Sequence, residues 1–180
     1  MAEAILERRE QKHENPMRSI KIEKVVVNIC PGKPGDTLEK AKQVLTILTD
    51  MKPAERRAKK TIKEFGIRKR EAIAAIVTLR GRKAEEFLSR AFNAIGRKIK
   101  SSSFQDGVFS FGVKEHIQFP GVKYDPKIGV FGMDVCVKLC RPGFRVMYRR
   151  RRRNKVGSSH RITKEETISF VREKFGVEVV

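Results

Sequence analysis

The chain has 180 residues, a length that suits one domain with an appendage and can bury a sizeable core. Its 41 Lys and Arg outnumber 21 Asp and Glu, and the net charge of +20 repels itself when folded alone and attracts polyanions. No stretch approaches the roughly 18 apolar residues of a membrane span, and the charged start MAEAILERREQKHENP lacks the apolar centre of a signal peptide, so no membrane partner is expected. Three unevenly spaced cysteines fit a reducing cytoplasm better than a disulfide framework. With no Trp and two Tyr, stacking on aromatic side chains is not the obvious binding mode.

Residues 1–15 read as a polar N-terminal extension with room for one short helix. Lys24–Cys30 reads as a strand, with Val25, Val27 and Ile29 on one face and Val26 and Asn28 on the other. The turn Pro31–Gly35 ends it. Asp36 then reads as an N-cap with Glu39 as its capping-box partner. Leu38, Ala41, Val44, Leu45 and Leu48 follow at helical spacing, to about Asp50.

The next segment, KPAERRAKKTIKEFGIRKR, holds nine cations: Lys52, Arg56, Arg57, Lys59, Lys60, Lys63, Arg68, Lys69 and Arg70. Only Glu55 and Glu64 interrupt them. An apolar run follows at once, so the segment reads as a flexible positive arm on a fixed scaffold. Phosphate is its natural partner, because Lys and Arg release condensed counterions when they neutralise a polyanion. The plain alternative is a solvated, lysine-rich loop.

Ala72–Arg80 alternates as a strand, with Ile73, Ala75, Val77 and Leu79 facing one way and Ala74, Ile76, Thr78 and Arg80 the other. Gly81 breaks it, and Ala84, Phe87, Leu88, Ala91 and Ile95 mark a second amphipathic helix. Ser101–Ser103 reads as a linker and Asp106-Gly107 as a turn. Strand alternation returns with Phe109, Phe111 and Val113, then Ile117 and Phe119, with His116 as an exposed strand histidine. After the loop Pro120–Pro126, Phe131, Met133, Val135, Val137 and Leu139 line one face of a further strand. From Val135 to Thr163 there is no acid, and this window holds Arg149, Arg150, Arg151, Arg152 and Arg153 in a row. Without a polyanion such a run is expected to be disordered and self-repelling; it also resembles a nuclear-targeting sequence. Thr163 opens a last helix with Glu166 as capping-box partner, Ile168, Val171 and Phe175 as its apolar face, and Gly176 as its stop.

These elements divide the chain into the extension, an α+β domain over residues 16–140, and a basic tail with a C-terminal helix over 141–180. The later connections are too short for helical crossovers. The expected fold is therefore a mixed, mostly antiparallel sheet with helices packed on one face. Asn28, Thr78 and Arg80 would then point away from the helices. Their amide, hydroxyl and guanidinium groups suit ribose, phosphate and base edges, although an ordinary solvated sheet face gives the same pattern.

Catalysis finds little support in the sequence. Cys136 and Cys140 on one strand stand roughly 13 Å apart, too far to share a zinc ion, and no His or Cys pair has zinc-ribbon spacing. Gly32-Lys33 and its neighbours match a phosphate loop only in composition. No cofactor, metal or enzymatic activity is expected. The remaining alternatives are a general nucleic-acid binder that prefers duplex DNA and an RNA-modifying enzyme.

NPMRSIKIEKVVVN near the start, VTLRG at 77–81, FSFGVKEHIQFPGVKYDP at 109–126 and GMDV at 132–135 resemble, in the same order along nearly the whole chain, the large-subunit ribosomal protein L-five family. The ending SHRITKEET and the basic tail resemble its archaeal and eukaryotic branch. The resemblance implies a protein of the large ribosomal subunit, in the cytoplasm. It would bind 5S rRNA and large-subunit rRNA in the central protuberance beside other ribosomal proteins. It also implies that Asn28 and Thr78 contact 5S rRNA. Where the family commonly has a contacting glutamine just before the basic-loop proline, this chain has Met51. The loop Lys52–Arg70 corresponds to the segment that reaches P-site tRNA, and His116–Lys127 would face small-subunit head protein S-thirteen.

Overall fold

The computed structural model describes residues 15–180, so the short helix expected before Asn15 lies outside the described residues. A single turn of 3-10 helix (Pro16–Arg18) leads into β1 (Lys21–Ile29). Then come α1 (Asp36–Thr49), β2 (Ala54–Arg57), β3 (Ala72–Leu79), α2 (Arg82–Ala94) and β4 (Lys98–Ile99). The chain continues with β5 (Phe104–Gln105), β6 (Val108–Val113), β7 (Met133–Cys140), α3 (Arg145–Tyr148), α4 (Lys164–Phe175) and β8 (Glu178–Val179). Six strands form one antiparallel sheet in the order β2-β3-β1-β7-β6-β5, while β4 and β8 form a separate parallel pair. This is the expected α+β fold with a mostly antiparallel sheet.

Alternation explains which face is covered. Val25, Val27 and Ile29 of β1, Ala75, Val77 and Leu79 of β3, and Met133, Val135, Val137 and Leu139 of β7 are all buried. They share one core with Leu38, Val44, Leu45 and Leu48 of α1 and with Phe87, Leu88, Ala91 and Phe92 of α2. Phe92 lies 5.3 Å from Phe111 and 5.0 Å from Phe175 between ring centroids, so aromatic contact ties α2 to β6 and to the end of α4. Ile162, Val171 and Val177 bring the segment after Cys140 into this same core.

Arg141 fastens that segment. Its guanidinium is 5% exposed and donates to the carbonyls of Arg18, His160 and Arg161 and, at 2.8 Å, to Glu166 Oε1. Thr163 and Glu166 make the expected reciprocal capping box at the start of α4, and Gly176 ends that helix with φ at 62°. Burial alone would raise the Glu166 pKa, but the Thr163 N–H and Arg141 together hold it below the ordinary carboxylate value.

Two local expectations about the helix start and the end of β6 differ from the structure. Gly35, not Asp36, is the N-cap of α1, because the entering backbone has φ of 99°, a conformation natural to glycine. Asp36 and Glu39 occupy the first turn instead and pair with Lys40 and Lys42, where the helix dipole still favours them. Strand β6 ends at Val113, so Ile117 and Phe119 are not strand residues. His116 opens a 3-10 turn and is 4% exposed, not an exposed strand histidine. Its Nδ1 accepts the Phe131 N–H at 3.2 Å, and burial pushes its pKa down despite nearby Glu115.

Candidate nucleic-acid interface

The face of the sheet turned away from α1 and α2 is open. Register defines its neighbours: Val26 stands opposite Thr78 and Cys136, and Asn28 opposite Ile76 and Asp134. Thr78 is exposed and Asn28 half-buried. Arg80 is exposed just beyond the end of β3. Ser110 and Gly112 of β6 extend the same rows, opposite Cys136 and Asp134. Period-two alternation of β7 identifies Asp134, Cys136 and Lys138 as open-face residues, but their neighbours became clear only with the register.

The segment Lys52–Arg70 is not a flexible loop. β2 pairs antiparallel with β3, from Ala54 opposite Ile76 to Arg57 opposite Ala72. The pairing extends through Ala58 N–H to Glu71 O (2.8 Å) and Arg70 N–H to Ala58 O (2.9 Å). Ile62 and Ile67 then bridge, and Lys63–Gly66 turns the tip. The bonding groups that make this a hairpin are backbone, so composition alone does not reveal them. All nine cations are exposed, and none takes part in an ion pair among the described residues. Phe65, 68% exposed, stands at the tip.

Lys42 of α1 was not anticipated as a contributor. It donates to Glu39 and, at 2.7 Å, to Glu55 at the base of the arm. Hydrogen bonds to Glu39 and Glu55 hold the Lys42 pKa above its ordinary value, and the bond to Lys42 holds Glu55 below its own. One of the arm's two acids is therefore used to tie its base to α1.

The five arginines also have a defined path rather than the expected disorder. Arg149 N–H caps α3 by donating to Arg145 O, Arg149 Nε donates to Arg152 O at 2.8 Å, and Asn154 N–H donates to Val146 O. Backbone carbonyls, not acids, satisfy the turn. Its start is fixed to the sheet, since Lys138 donates to the Tyr148 hydroxyl and lies 4.5 Å from the ring centroid. Lys138 also pairs with Glu23 at 2.9 Å. Burial opposes the charge of Lys138, yet the bonds to Tyr148 and Glu23 raise its pKa overall. Tyr148 thus joins the arginine turn to β7, on the side of β1 opposite the arm.

No group of three or more His, Cys, Asp or Glu among the described residues is placed to hold a metal ion. Among the same residues, no helix is long and apolar enough to cross a membrane. What the surface offers is fixed polar groups on a sheet and two cationic segments joined to it. Such a surface can neutralise phosphates and present hydrogen-bonding groups to bases.

Comparison with known proteins agrees with that chemistry. Residues 15–68 match the family Ribosomal protein L5, and residues 72–170 match the C-terminal part of the same family. The chain is 56% identical over 166 residues to large ribosomal subunit protein uL5 of Pyrobaculum aerophilum, covering 92% of this chain and 93% of that one. It is 51% identical to the uL5 proteins of Sulfurisphaera tokodaii, covering 92% and 95% of the two chains, and of Archaeoglobus fulgidus, covering 92% of each. With matches that span both halves of the fold, the chain belongs to the ribosomal protein L5 family, a family of ribosomal proteins and not of enzymes.

Proposed function

We propose that the chain holds 5S rRNA on the open face of its sheet, within the central protuberance, and reaches P-site tRNA with the β2–β3 arm. Membership of the family makes it a structural constituent of the large ribosomal subunit, working in the cytoplasm. In this reading Asn28, Thr78 and Arg80 contact 5S rRNA, and Arg149–Arg153 neutralise large-subunit rRNA beside that face. Other central-protuberance proteins adjoin it. The loop after His116 faces small-subunit protein S-thirteen, through exposed groups such as Tyr124 rather than buried His116.

The observation that carries this reading is a contrast in partners. None of the nine arm cations joins an ion pair among the described residues, yet the arm is held in place by backbone bonds and by Lys42–Glu55. A preformed cationic hairpin next to unpaired sheet groups can serve two RNAs at once. The work is noncovalent: charge neutralisation, shape recognition and positioning.

A binding competition between 5S rRNA, tRNA and duplex DNA at one salt concentration tests the proposal. The free protein should prefer 5S rRNA. Its log K should fall with log salt at a slope of roughly −3.5 to −4.5, for about five neutralised phosphates. Preference for duplex DNA, or a slope near zero, would favour the general nucleic-acid binder or remove the electrostatic anchor.

A further inference from the structure

Asp134 is out of place on a surface built for a polyanion. It is exposed at the start of β7, a central strand of the open face, opposite Asn28 on one side and Gly112 on the other. Asp36 pairs with Lys40, and Asp106 and Asp125 accept backbone N–H groups. Among the described residues, Asp134 joins no ion pair. The cation on its own strand, Lys138, lies four residues away, roughly 13 Å along the strand, and is engaged by Glu23. The charge is felt locally: burial first, and then Asp134, raise the pKa of the Cys136 thiol.

Phosphate would be repelled from this spot, so a group bearing hydrogen-bond donors fits it better. Opposed residues on antiparallel strands hold their Cβ atoms about 4.5–5.5 Å apart. Asp134 and Asn28 therefore present two acceptor oxygens beside an amide. The pairing edge of guanine has the matching pattern: N1–H and the N2 amine for the carboxylate, and O6 for the amide N–H. Uracil and adenine lack two adjacent donors, and cytosine offers one amine. Gly112 keeps the approach clear, because a Cβ there would stand 3.7 Å from Asp134 Oδ1. We propose that Asp134, with Asn28 opposite it, reads the pairing edge of one unpaired guanine in the RNA bound to the open face. The inference rests on that face being an RNA interface. Unpaired bases are where proteins commonly read RNA sequence.

The test exploits sign. Simple electrostatics expects Asp134→Ala to tighten binding to 5S rRNA by removing a negative charge. Guanine reading expects the same variant to weaken it by about tenfold or more, as for loss of hydrogen bonds to a charged group. Gly112→Val keeps the charge but walls off the carboxylate, and should also weaken binding. Thermal melts confirm that each variant is folded. In 5S rRNA with unpaired guanines replaced singly by inosine, which lacks the N2 amine, one replacement should weaken the wild type without weakening Asp134→Ala further. Equal or tighter binding by Asp134→Ala overturns the proposal, as does the absence of any coupled inosine position. A weakening that vanishes when magnesium is chelated also overturns it, since the carboxylate would then be a cation ligand. If Asn28→Ala and Thr78→Ala weaken binding while Asp134→Ala does not, only the guanine proposal fails. If none of the three changes binding, the RNA face itself is wrong.

Discussion

The open face and the arm solve different binding problems. On the open face, side chains sit on three central strands locked by register: an amide, a hydroxyl, a thiol and one carboxylate, with Lys138 tied to Glu23 and Arg80 just beyond the end of β3. On the arm, nine cations ride on an edge hairpin outside the helix-covered core. Fixed neutral groups lose little conformational entropy when they bind, and they discriminate by hydrogen-bond geometry. Long cationic side chains discriminate little but attract phosphate strongly. The comparison teaches that high net charge need not place charge where recognition occurs. It also gives the arm's edge strand a second benefit, since exposed Arg and Lys discourage unwanted strand pairing.

The largest effect should come from confusing the two faces of one strand. Val27 is fully buried while its neighbour Asn28 faces out, so Val27→Asp puts an unpaired charge in the core. It should cost more than about 4 kcal/mol and leave the chain unfolded in denaturant titrations followed by circular dichroism. A folded Val27→Asp protein would mean that the faces have been assigned the wrong way round.

Stripping the arm comes second. Ser at Arg56, Arg57, Lys59, Lys60 and Lys63 should spare the fold, because all five side chains are exposed. On assembled ribosomes the dissociation of P-site tRNA should speed up, with a salt slope shallower by up to about 3.5–4.5. Binding to isolated 5S rRNA should fall only slightly, through long-range attraction that salt screens beyond about 8 Å. Lost 5S binding with normal tRNA retention would place the arm inside the anchor and dissolve the comparison.

Smaller losses are expected from single open-face groups. Asn28→Ala, Thr78→Ala and Arg80→Ala should each weaken 5S rRNA binding by about 1–2 kcal/mol with melting temperature unchanged. Equilibrium titrations and melts on the same samples separate binding from stability.

The smallest effect is a pH dependence of stability on neither binding surface. His116 has a lowered pKa in the folded chain, so the unfolded chain takes up its proton first as pH falls. This contribution is fully present above the ordinary value of about 6.5 and is lost as pH drops below it toward the folded value. Denaturant midpoints measured across that window should decline, and His116→Gln should flatten the decline. An unchanged slope in that variant would assign the acid sensitivity to other groups, Glu166 among them.

Much of this molecule was legible in one dimension, and the reason is periodicity. The alternation of Val25, Val27 and Ile29, the helical spacing from Leu38 to Leu48, the Asp106-Gly107 turn and the Thr163–Glu166 capping box each depend on neighbours within a few residues. Three-dimensional surroundings did not need to be known for those. His116 shows the opposite case. Its burial depends on Phe131, fifteen residues away, whose N–H bonds back to it across a turn that alternation alone had extended into strand.

The same division runs through the binding surface. Sequence alone determined the α+β class, the inward and outward faces of the central strands, the great excess of positive charge and where along the chain it concentrates. Tertiary structure decided that the basic segment is a hairpin, since backbone hydrogen bonds to β3 carry no side-chain signature. It also decided that Lys42 ties down the arm, that Tyr148 seats the arginine turn on Lys138, and that Asp134 lies beside Asn28. Those neighbours are far apart along the chain, and only strand register and helix packing bring them together. Local pattern sets which way a side chain points, whereas the partner it meets is set by the folding of distant segments onto one another.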